Sequence, residues 1–368
     1  MLFTFVVGDI GGARMQLPVA KELANMGHTV NLVADGDGMS CAFFDEEKVE
    51  FLKLYTKSTF QFSEVYRIAS ECDLTLINTC ASAHSIEESC LSYCRKPVAG
   101  ADGYFNHGLP QWRNAQFDYW FAIDEGHAKA IKSSKPNLED DQIRVVGQPA
   151  FDGIIDMIPK KDEIRSQARK ELRIADDETA VIWWSQGMPE VIEEDLRMIK
   201  TAIDCLKSVA EKPVFLPRIH PKLNKTVRPG YVEEIQALVL NWCAENNVPC
   251  IESKSVAPEA ATLAADLILA ITSTEDIKST MMGGPPVVHP VGYTIQKWFE
   301  NDLGLKWPYL PDVISGTSLI ASSTDGLQKA MQEALSEEFK QKRKRNWKPP
   351  TEKAITRVAN ELIKIAQN

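Results

Sequence analysis

An arginine and a histidine stand two positions apart in Phe215-Leu216-Pro217-Arg218-Ile219-His220-Pro221, directly after an apolar run. Arginine presents a planar fork of donors suited to phosphate. Histidine donates to an oxygen or shuttles a proton, although a lone histidine is more often structural. In a second stretch, the apolar run Leu267–Ile271 ends in Thr272, Ser273 and Thr274, followed by Glu275 and Asp276. A helix-like segment then runs to the stop Gly283-Gly284-Pro285-Pro286. Hydroxyls at a helix start cap free N–H groups, and those groups together with the helix dipole favour an anion. Taken alone, an ordinary capped helix is the plainer explanation of this turn. A third stretch, Trp184-Ser185-Gln186-Gly187-Met188-Pro189, leaves an apolar run and enters a helix. Ser185 and Gln186 offer donors there, and a Gly-Pro turn is the plainer explanation.

The first half of the chain carries a different set. Asp102-Gly103-Tyr104-Phe105-Asn106-His107 follows an apolar run, which makes Asp102 and His107 candidates for acid and base. Asp124-Glu125-Gly126-His127 follows another and reads as helix capping. Near the start, Gly8-Asp9-Ile10-Gly11-Gly12-Ala13-Arg14 reads as a glycine turn between a strand and a helix that begins at Met15. Gly11, Gly12, Ala13 and Arg14 would form a loop that a ligand can approach. The glycines do not make G-x-G-x-x-G, and no Gly-Lys-Ser/Thr phosphate loop is present.

Loops of this kind need a sheet to hold them. Short apolar runs at Phe3–Val7, Thr29–Ala34, Phe51–Tyr55, Leu74–Asn78, Pro97–Ala101, Tyr119–Ile123 and Ile143–Val146 alternate with helical runs such as Phe62–Glu71 and Ser85–Cys94. After a polar stretch at 150–178 the pattern restarts with Ala180–Ser185, Val214–Pro217, Val248–Ile251, Leu267–Ile271 and Val287–His289. Continuously apolar strands alternating with helices predict βαβ units and parallel sheets. In such sheets ligands sit outside the carboxyl ends of the strands, where all these loops fall. The predicted class is α/β, with two Rossmann-like parallel-sheet domains facing a cleft.

Bulk properties narrow the partners. A net charge of −10 over 368 residues argues against a nucleic-acid partner. No apolar run approaches the ~20 residues needed to span a bilayer. The start, Met1 to Gly8, reads as a first strand rather than a leader, which predicts a cytoplasmic protein. Eight scattered cysteines without C-x-x-C pairs read as buried thiols in a reducing compartment. The basic run Lys340 to Arg345 reads as a solvated helix end, with contact to anionic lipid as the alternative.

With these residues assembled, the chain resembles the two-domain nucleotide-sugar enzymes of the GT-B fold. It looks closest to the branch holding the non-hydrolysing UDP-N-acetylglucosamine 2-epimerases and related glycosyltransferases. Arg144-Val145-Val146-Gly147-Gln148-Pro149-Ala150-Phe151-Asp152 looks like that family's Val-x-Gly-Asn-Pro-x-x-Asp segment. Arg218-Ile219-His220-Pro221 looks like its Arg-Pro-His-Pro segment. The stretch Ala270–Val287 looks like its diphosphate-holding Thr-Asp-Ser-Gly-Gly…Gly-x-Pro-Val stretch. There are departures. Thr274-Glu275 replaces the Gly-Gly, Lys278-Ser279 falls near the paired glutamates, and Ser185-Gln186-Gly187 stands for Gly-His-Arg. Gly100 to Gly103 replaces His-x-Glu-Ala-Gly, and Asn78-Thr79-Cys80 lacks the acidic residue of that position.

The resemblance implies an acceptor-side domain over 1–155, a nucleotide-binding domain over 156–345, and a helix within 346–368 packing back on the first domain. It implies a glycosyltransferase of polysaccharide or glycolipid synthesis, with a nucleotide sugar as donor substrate and a carbohydrate or lipid-linked acceptor. Arg218, His220, Ser273 and Thr274 would hold the nucleotide diphosphate, with Glu275 as a ribose partner. Ser185, Gln186 and Thr272 would complete that edge, and His107 or Asp102 would be the base of an inverting transfer. The acceptor would enter over Gly11 to Arg14. No Asp-x-Asp metal motif is visible, and neither a metal nor a separate cofactor is expected. A homodimer and a peripheral membrane contact remain open. The alternatives are an epimerase or hydrolase with altered catalytic residues, or a catalytically silent binding protein of this fold.

Overall fold

Leu2–Val7 forms β1 because its alternate side chains serve two cores. Phe3, Phe5 and Val7 point into one apolar cluster, while Val6 points into the other. Both faces are therefore covered, which is why the strand reads as continuously apolar. The structure is a computed structural model and describes residues 1–36, 38–55, 62–80, 85–94, 97–103 and 106–368. It divides into two units, Met1–Gly153 with Asp302–Pro311 and Pro350–Asn368, and Ile154–Asn301 with Asp312–Pro349.

The sheet of unit 1 continues with β2 (Thr29–Asp35), β3 (Leu52–Leu54), β4 (Leu74–Asn78), β5 (Val98–Ala101), β6 (Tyr119–Ala122) and β7 (Ile143–Val145). All pairings are parallel, in the order β3-β2-β1-β4-β5-β6-β7. The direction of winding reverses between β1 and β4, which is where α/β sheets open a crevice. The helix Ala354–Gln367 packs on the helix Ile10–Asn25 through Val358, Leu362 and Ile365. Asp152 fixes its start by accepting from the N–H groups of Ala354 at 2.7 Å and Ile355 at 2.9 Å.

The sheet of unit 2 contains β8 (Thr179–Trp184), β9 (Pro213–Arg218), β10 (Leu267–Ala270), β11 (Val287–Pro290) and β12 (Ser318–Ala321). It is parallel, in the order β12-β11-β10-β8-β9, so its reversal lies between β8 and β10. Val181, Trp183, Phe215 and Leu269 face one core, closed by the helix Pro189–Val209. Ala180, Ile182, Leu216 and Ala270 face the other, closed by the helices Lys161–Leu172 and Pro258–Ala264. Asp266 pins this second layer. It accepts from Arg165 at 2.6 Å, from Arg169 at 3.1 Å and from the N–H of Ala180 at 2.8 Å.

Several expectations are corrected. Gly11, Gly12, Ala13 and Arg14 are not a loop, because the first helix begins at Ile10. Asp9 caps it, accepting from the N–H of Gly12 at 2.6 Å. Gly12 is needed for close approach, since a Cβ there would lie 2.6 Å from Asn78 and from Val7. Val248–Ile251 is not a strand; among the described residues it joins β9 by the single bridge Phe215–Cys250. The fourth helix of unit 1 ends at Leu91, short of Cys94. Tyr104 and Phe105 fall outside the described residues. The basic run lies on the helix Glu337–Asn346, where Arg343 is buried and donates to the carbonyls of Thr317, Gly284 and Pro285. That arginine is structural, while its basic neighbours face solvent. All eight cysteines are free thiols, and no described helix is long and apolar enough to cross a membrane.

Candidate functional site

In unit 2 the loops after β9, β8 and β10 are tied together at the carboxyl edge of the sheet. The Ser185 N–H donates to the Arg218 carbonyl at 3.1 Å, and the Ser185 hydroxyl accepts from the N–H of His220 at 2.8 Å. Gln186 reaches across the reversal point and donates its side-chain amide to the Thr272 carbonyl. The loop after β8 rests on Asp195, which accepts from the N–H of Gln186 at 3.3 Å and from Trp183 Nε1 at 3.2 Å. Burial pushes the Asp195 carboxyl up to about 7 against those two hydrogen bonds.

Arg218 is half-buried. Its guanidinium lies 5.0 Å from the Trp184 ring centroid and donates to the Ser253 carbonyl at 2.7 Å. Stacking and one carbonyl fix the plane, and the other donors of the fork remain available for an anion among the described residues. His220 is exposed, and its Nδ1 accepts from the N–H of Lys222 at 3.1 Å. That bond places the proton on Nε2, so the ring is a donor there.

The helix Thr274–Met282 begins with a capping box. Ser273 Oγ accepts from the N–H of Glu275 at 3.2 Å, and Asp276 accepts from the N–H of Ser273 at 2.8 Å. Thr274 is exposed at this start, Thr272 and Ser273 are partly exposed, and Glu275 is buried. Glu275 pairs with Lys278 at 2.7 Å, which in turn pairs with Glu259 at 2.7 Å. Burial raises the Glu275 carboxyl, and Lys278 only partly offsets this. Glu275 Oε2 has no partner among the described residues.

Behind this turn lies a buried His289. Its Nδ1 donates to the carbonyls of Ala270 at 2.9 Å and Ile271 at 3.0 Å, and its Nε2 donates to Asp312 at 2.8 Å. Both nitrogens are donors, so the ring is an imidazolium. Burial works against that charge, but Asp312 outweighs it and lifts the pKa to about 9.

In unit 1 the candidates Asp102 and His107 are bonded to each other. His107 Nδ1 donates to Asp102 Oδ2 at 2.7 Å, and both residues are buried. The same oxygen accepts from His127 Nε2 at 2.8 Å, and Oδ1 accepts from Thr79 Oγ1 at 2.6 Å. His127 Nδ1 accepts from the N–H of Ile123 at 3.1 Å. The partners set both tautomers and leave His107 Nε2 as a lone pair with no donor among the described residues. Burial opposes ionisation of Asp102, but attraction to and hydrogen bonds from the two imidazoles hold it well below the usual carboxylate range. Burial lowers His107, and Asp102 offsets this only in part. These three side chains could also gather around a metal ion, but hydrogen bonds already account for their contacts. The remaining candidates, Gly11 to Arg14, do not reach this group as a loop: Gly12 and Ala13 are buried in the first helix turn, while Gly11 and Arg14 are exposed.

Several side chains of these candidate sites escape a sequence reading. Asp124 caps its helix by accepting from the N–H of His127 at 2.7 Å, but the His127 ring joins Asp102 across the sheet. Glu87, fully buried, accepts from the N–H of Gly8, 79 positions earlier in the chain. A histidine three positions after a strand-end aspartate was the only signal for the first, and Glu87 had none.

No protein-family model matches the chain, and no curated protein matches its sequence. Solved structures do. The S. aureus MnaA–UDP co-structure matches over 100 % of this chain and 97 % of its own, at TM-score 0.65 and 14 % identity. The Neisseria meningitidis UDP-GlcNAc 2-epimerase bound to UDP-GlcNAc matches over 99 % and 100 %, at TM-score 0.63 and 17 % identity. This chain has the GT-B fold. A Rickettsia africae glycosyltransferase shares it too, at TM-score 0.56 and 12 % identity over 100 % of this chain and 97 % of that one. In GT-B terms, unit 1 carries the Asp102–His107 pair and unit 2 the Arg218–Ser273 edge.

Proposed function

We propose that the chain is a nucleotide-sugar enzyme of the GT-B type, acting as a glycosyltransferase in polysaccharide or glycolipid synthesis. The observation that carries this reading is the edge of unit 2, where an arginine fork held on Trp184 and a capped helix start flank the reversal point between β8 and β10. That edge suits a nucleoside diphosphate, because helix N–H groups and a guanidinium complement phosphate charge. Structural neighbours solved with UDP and UDP-GlcNAc support the same ligand class.

The chemistry then follows from the residues. Within unit 1, His107 Nε2 is the lone pair able to take a proton from a hydroxyl, and Asp102 would stabilise the imidazolium that forms. Within unit 2, transfer of the sugar breaks the bond from its C1 to the diphosphate oxygen as C1 bonds to the acceptor oxygen. The leaving electron pair stays on the diphosphate, where Arg218 and the helix start at Ser273-Thr274 stabilise it. His107 is 1 % exposed, so an acceptor has to displace the cover of its ring.

Calorimetric titration with UDP, GDP, CDP and their sugars tests the reading. One nucleoside diphosphate is expected to bind with unit stoichiometry, and its sugar is expected to be turned over with an acceptor. Failure of every nucleotide to bind overturns it. Exchange of the sugar C2 proton in deuterated water without transfer would favour epimerisation, the activity named for the Neisseria neighbour.

A further inference from the structure

The turn that opens the helix Thr274–Met282 is held from behind by a buried ion pair. His289 lies in β11, the strand beside β10, and is 1 % exposed. Its Nδ1 donates to the carbonyls of Ala270 at 2.9 Å and Ile271 at 3.0 Å, the two residues before Thr272 and Ser273. In a trans peptide the N–H points opposite to the C=O. With the Ile271 carbonyl turned to His289, the N–H of the partly exposed Thr272 is turned away from it. The ring's Nε2 donates to Asp312 at 2.8 Å, and Asp312 also accepts from the N–H of Val313 at 3.1 Å. Burial works against the Asp312 charge, but His289 outweighs it and holds the carboxyl below its ordinary value. The pair therefore presents its positive end to the turn and its negative end to the far side of the ring. Two further charged groups act on it. Asp276, on the helix itself, attracts the ring while accepting from the N–H of Ser273 at 2.8 Å, and Arg343 attracts Asp312. A neutral donor would tie the two carbonyls equally well, whereas a buried charge has to be offset by a partner. The charge is thus more than the tie requires.

We propose that His289 is a positioning residue of the diphosphate edge: Asp312 keeps it an imidazolium, and its charge, passed through the Ile271–Thr272 peptide, strengthens the turn's hold on an anion. This rests on the nucleotide-sugar reading and adds to that site a residue that touches no ligand. Hydrogen bonds in series polarise one another, and the low dielectric of a buried site enlarges the effect. The charged ring pulls electron density toward the Ile271 oxygen, which makes the Thr272 N–H a better donor. The sign with pH follows. Burial works against the His289 charge, but Asp312 outweighs it and lifts the ring to about 9. The ring is therefore charged at neutral pH and loses its charge as pH rises through 9. The hold on an anion should weaken there with the tie intact, because a neutral ring with its proton on Nδ1 still donates to both carbonyls.

The test uses the full chain and whichever of UDP, GDP and CDP binds it most tightly, titrated calorimetrically at pH 7.5 and pH 10 into the wild type and His289→Gln. Glutamine keeps a donor for the carbonyls and carries no charge. The ratio of the two dissociation constants cancels the ligand's own titration. His289→Gln is expected to weaken binding about fivefold or more at pH 7.5 and less than about twofold at pH 10. Asp312→Asn, which removes the partner of the charge, should reproduce the loss at pH 7.5. Histidine 15N NMR of the wild type should show both His289 nitrogens protonated at pH 7. A neutral His289 at pH 7 overturns the proposal, as does wild-type affinity in either variant at pH 7.5. A loss in His289→Gln that is equal at both pH values, as a merely structural tie would give, overturns it too. If a nucleotide binds the wild type and any of these results appears, this proposal alone falls. If no nucleotide binds, the nucleotide-sugar reading falls and takes this proposal with it.

Discussion

Replacing Asp102 by asparagine removes one charge and almost no volume. The amide oxygen can still accept from His107 and His127, and the amide nitrogen can turn to Thr79 Oγ1, 2.6 Å from the present carboxylate. The fold should therefore survive. Three charge-assisted bonds become neutral ones, which costs about 1 kcal/mol each, partly offset because a buried charge disappears. The larger effect falls on His107. Asp102 is what supports its basicity against burial, so Asp102→Asn should push the imidazole further down. As the base of a transfer reaction it should lose activity by a factor on the order of 10²–10⁴. The assay that needs no known substrate is a histidine 15N NMR titration. In the wild type, His107 should carry its proton on Nδ1 and stay neutral to below the ordinary histidine range. In the variant its midpoint should be lower still. A midpoint unchanged by Asp102→Asn, or a wild-type proton on Nε2, would refute the pairing and the base role built on it.

Three further outcomes follow from the same contacts. Asp266→Ala leaves Arg169, 6 % exposed, without its counter-charge, and should cost about 3–5 kcal/mol in urea unfolding. Asp195 has a raised folded-state pKa of about 7, so its stabilising contribution is complete below the unfolded value of 3.8 and is lost as pH rises through 7. Wild-type stability should thus fall by up to ~3 kcal/mol between pH 5 and 8 relative to Asp195→Asn, measured by urea unfolding at both pH values. Gly147 has φ +87°, and a Cβ there would lie 2.6 Å from Arg357 and 2.7 Å from Ala354. Gly147→Ala should lower the melting temperature by several degrees, at ~1–3 kcal/mol of strain.

The architecture was readable because most of the parallel strands lie in dense apolar runs. β4 begins and ends at the predicted residues, Leu74–Asn78. β12, Ser318–Ala321, escaped although it is as long as β5, β6, β10 and β11, because it opens on a serine directly after the polar Ser315-Gly316-Thr317. Val248–Ile251 looked like a strand by composition, but Pro249 has no N–H to give a ladder, and only Cys250 bridges to Phe215. Two glycines made 11–14 look like a loop. The Asp9 cap and the packing of Gly12 on Asn78 outweigh the helix cost of glycine. In the sites, residues just after strands could be named, because the topology puts them at one edge. Residues that act through distant partners could not. Glu87 meets Gly8, and His127 meets Asp102, only after the sheet has brought β1, β4, β5 and β6 together.

The central claim is that the Arg218 edge of unit 2 holds a nucleoside diphosphate. Calorimetric titration of the wild type and Arg218→Ala with the same nucleotide tests it most directly. Loss of a charge-assisted bond to phosphate is worth about 1.5–3 kcal/mol, so affinity should fall roughly 10- to 100-fold. An affinity unchanged in Arg218→Ala, or no nucleotide binding by the wild type, would contradict the account.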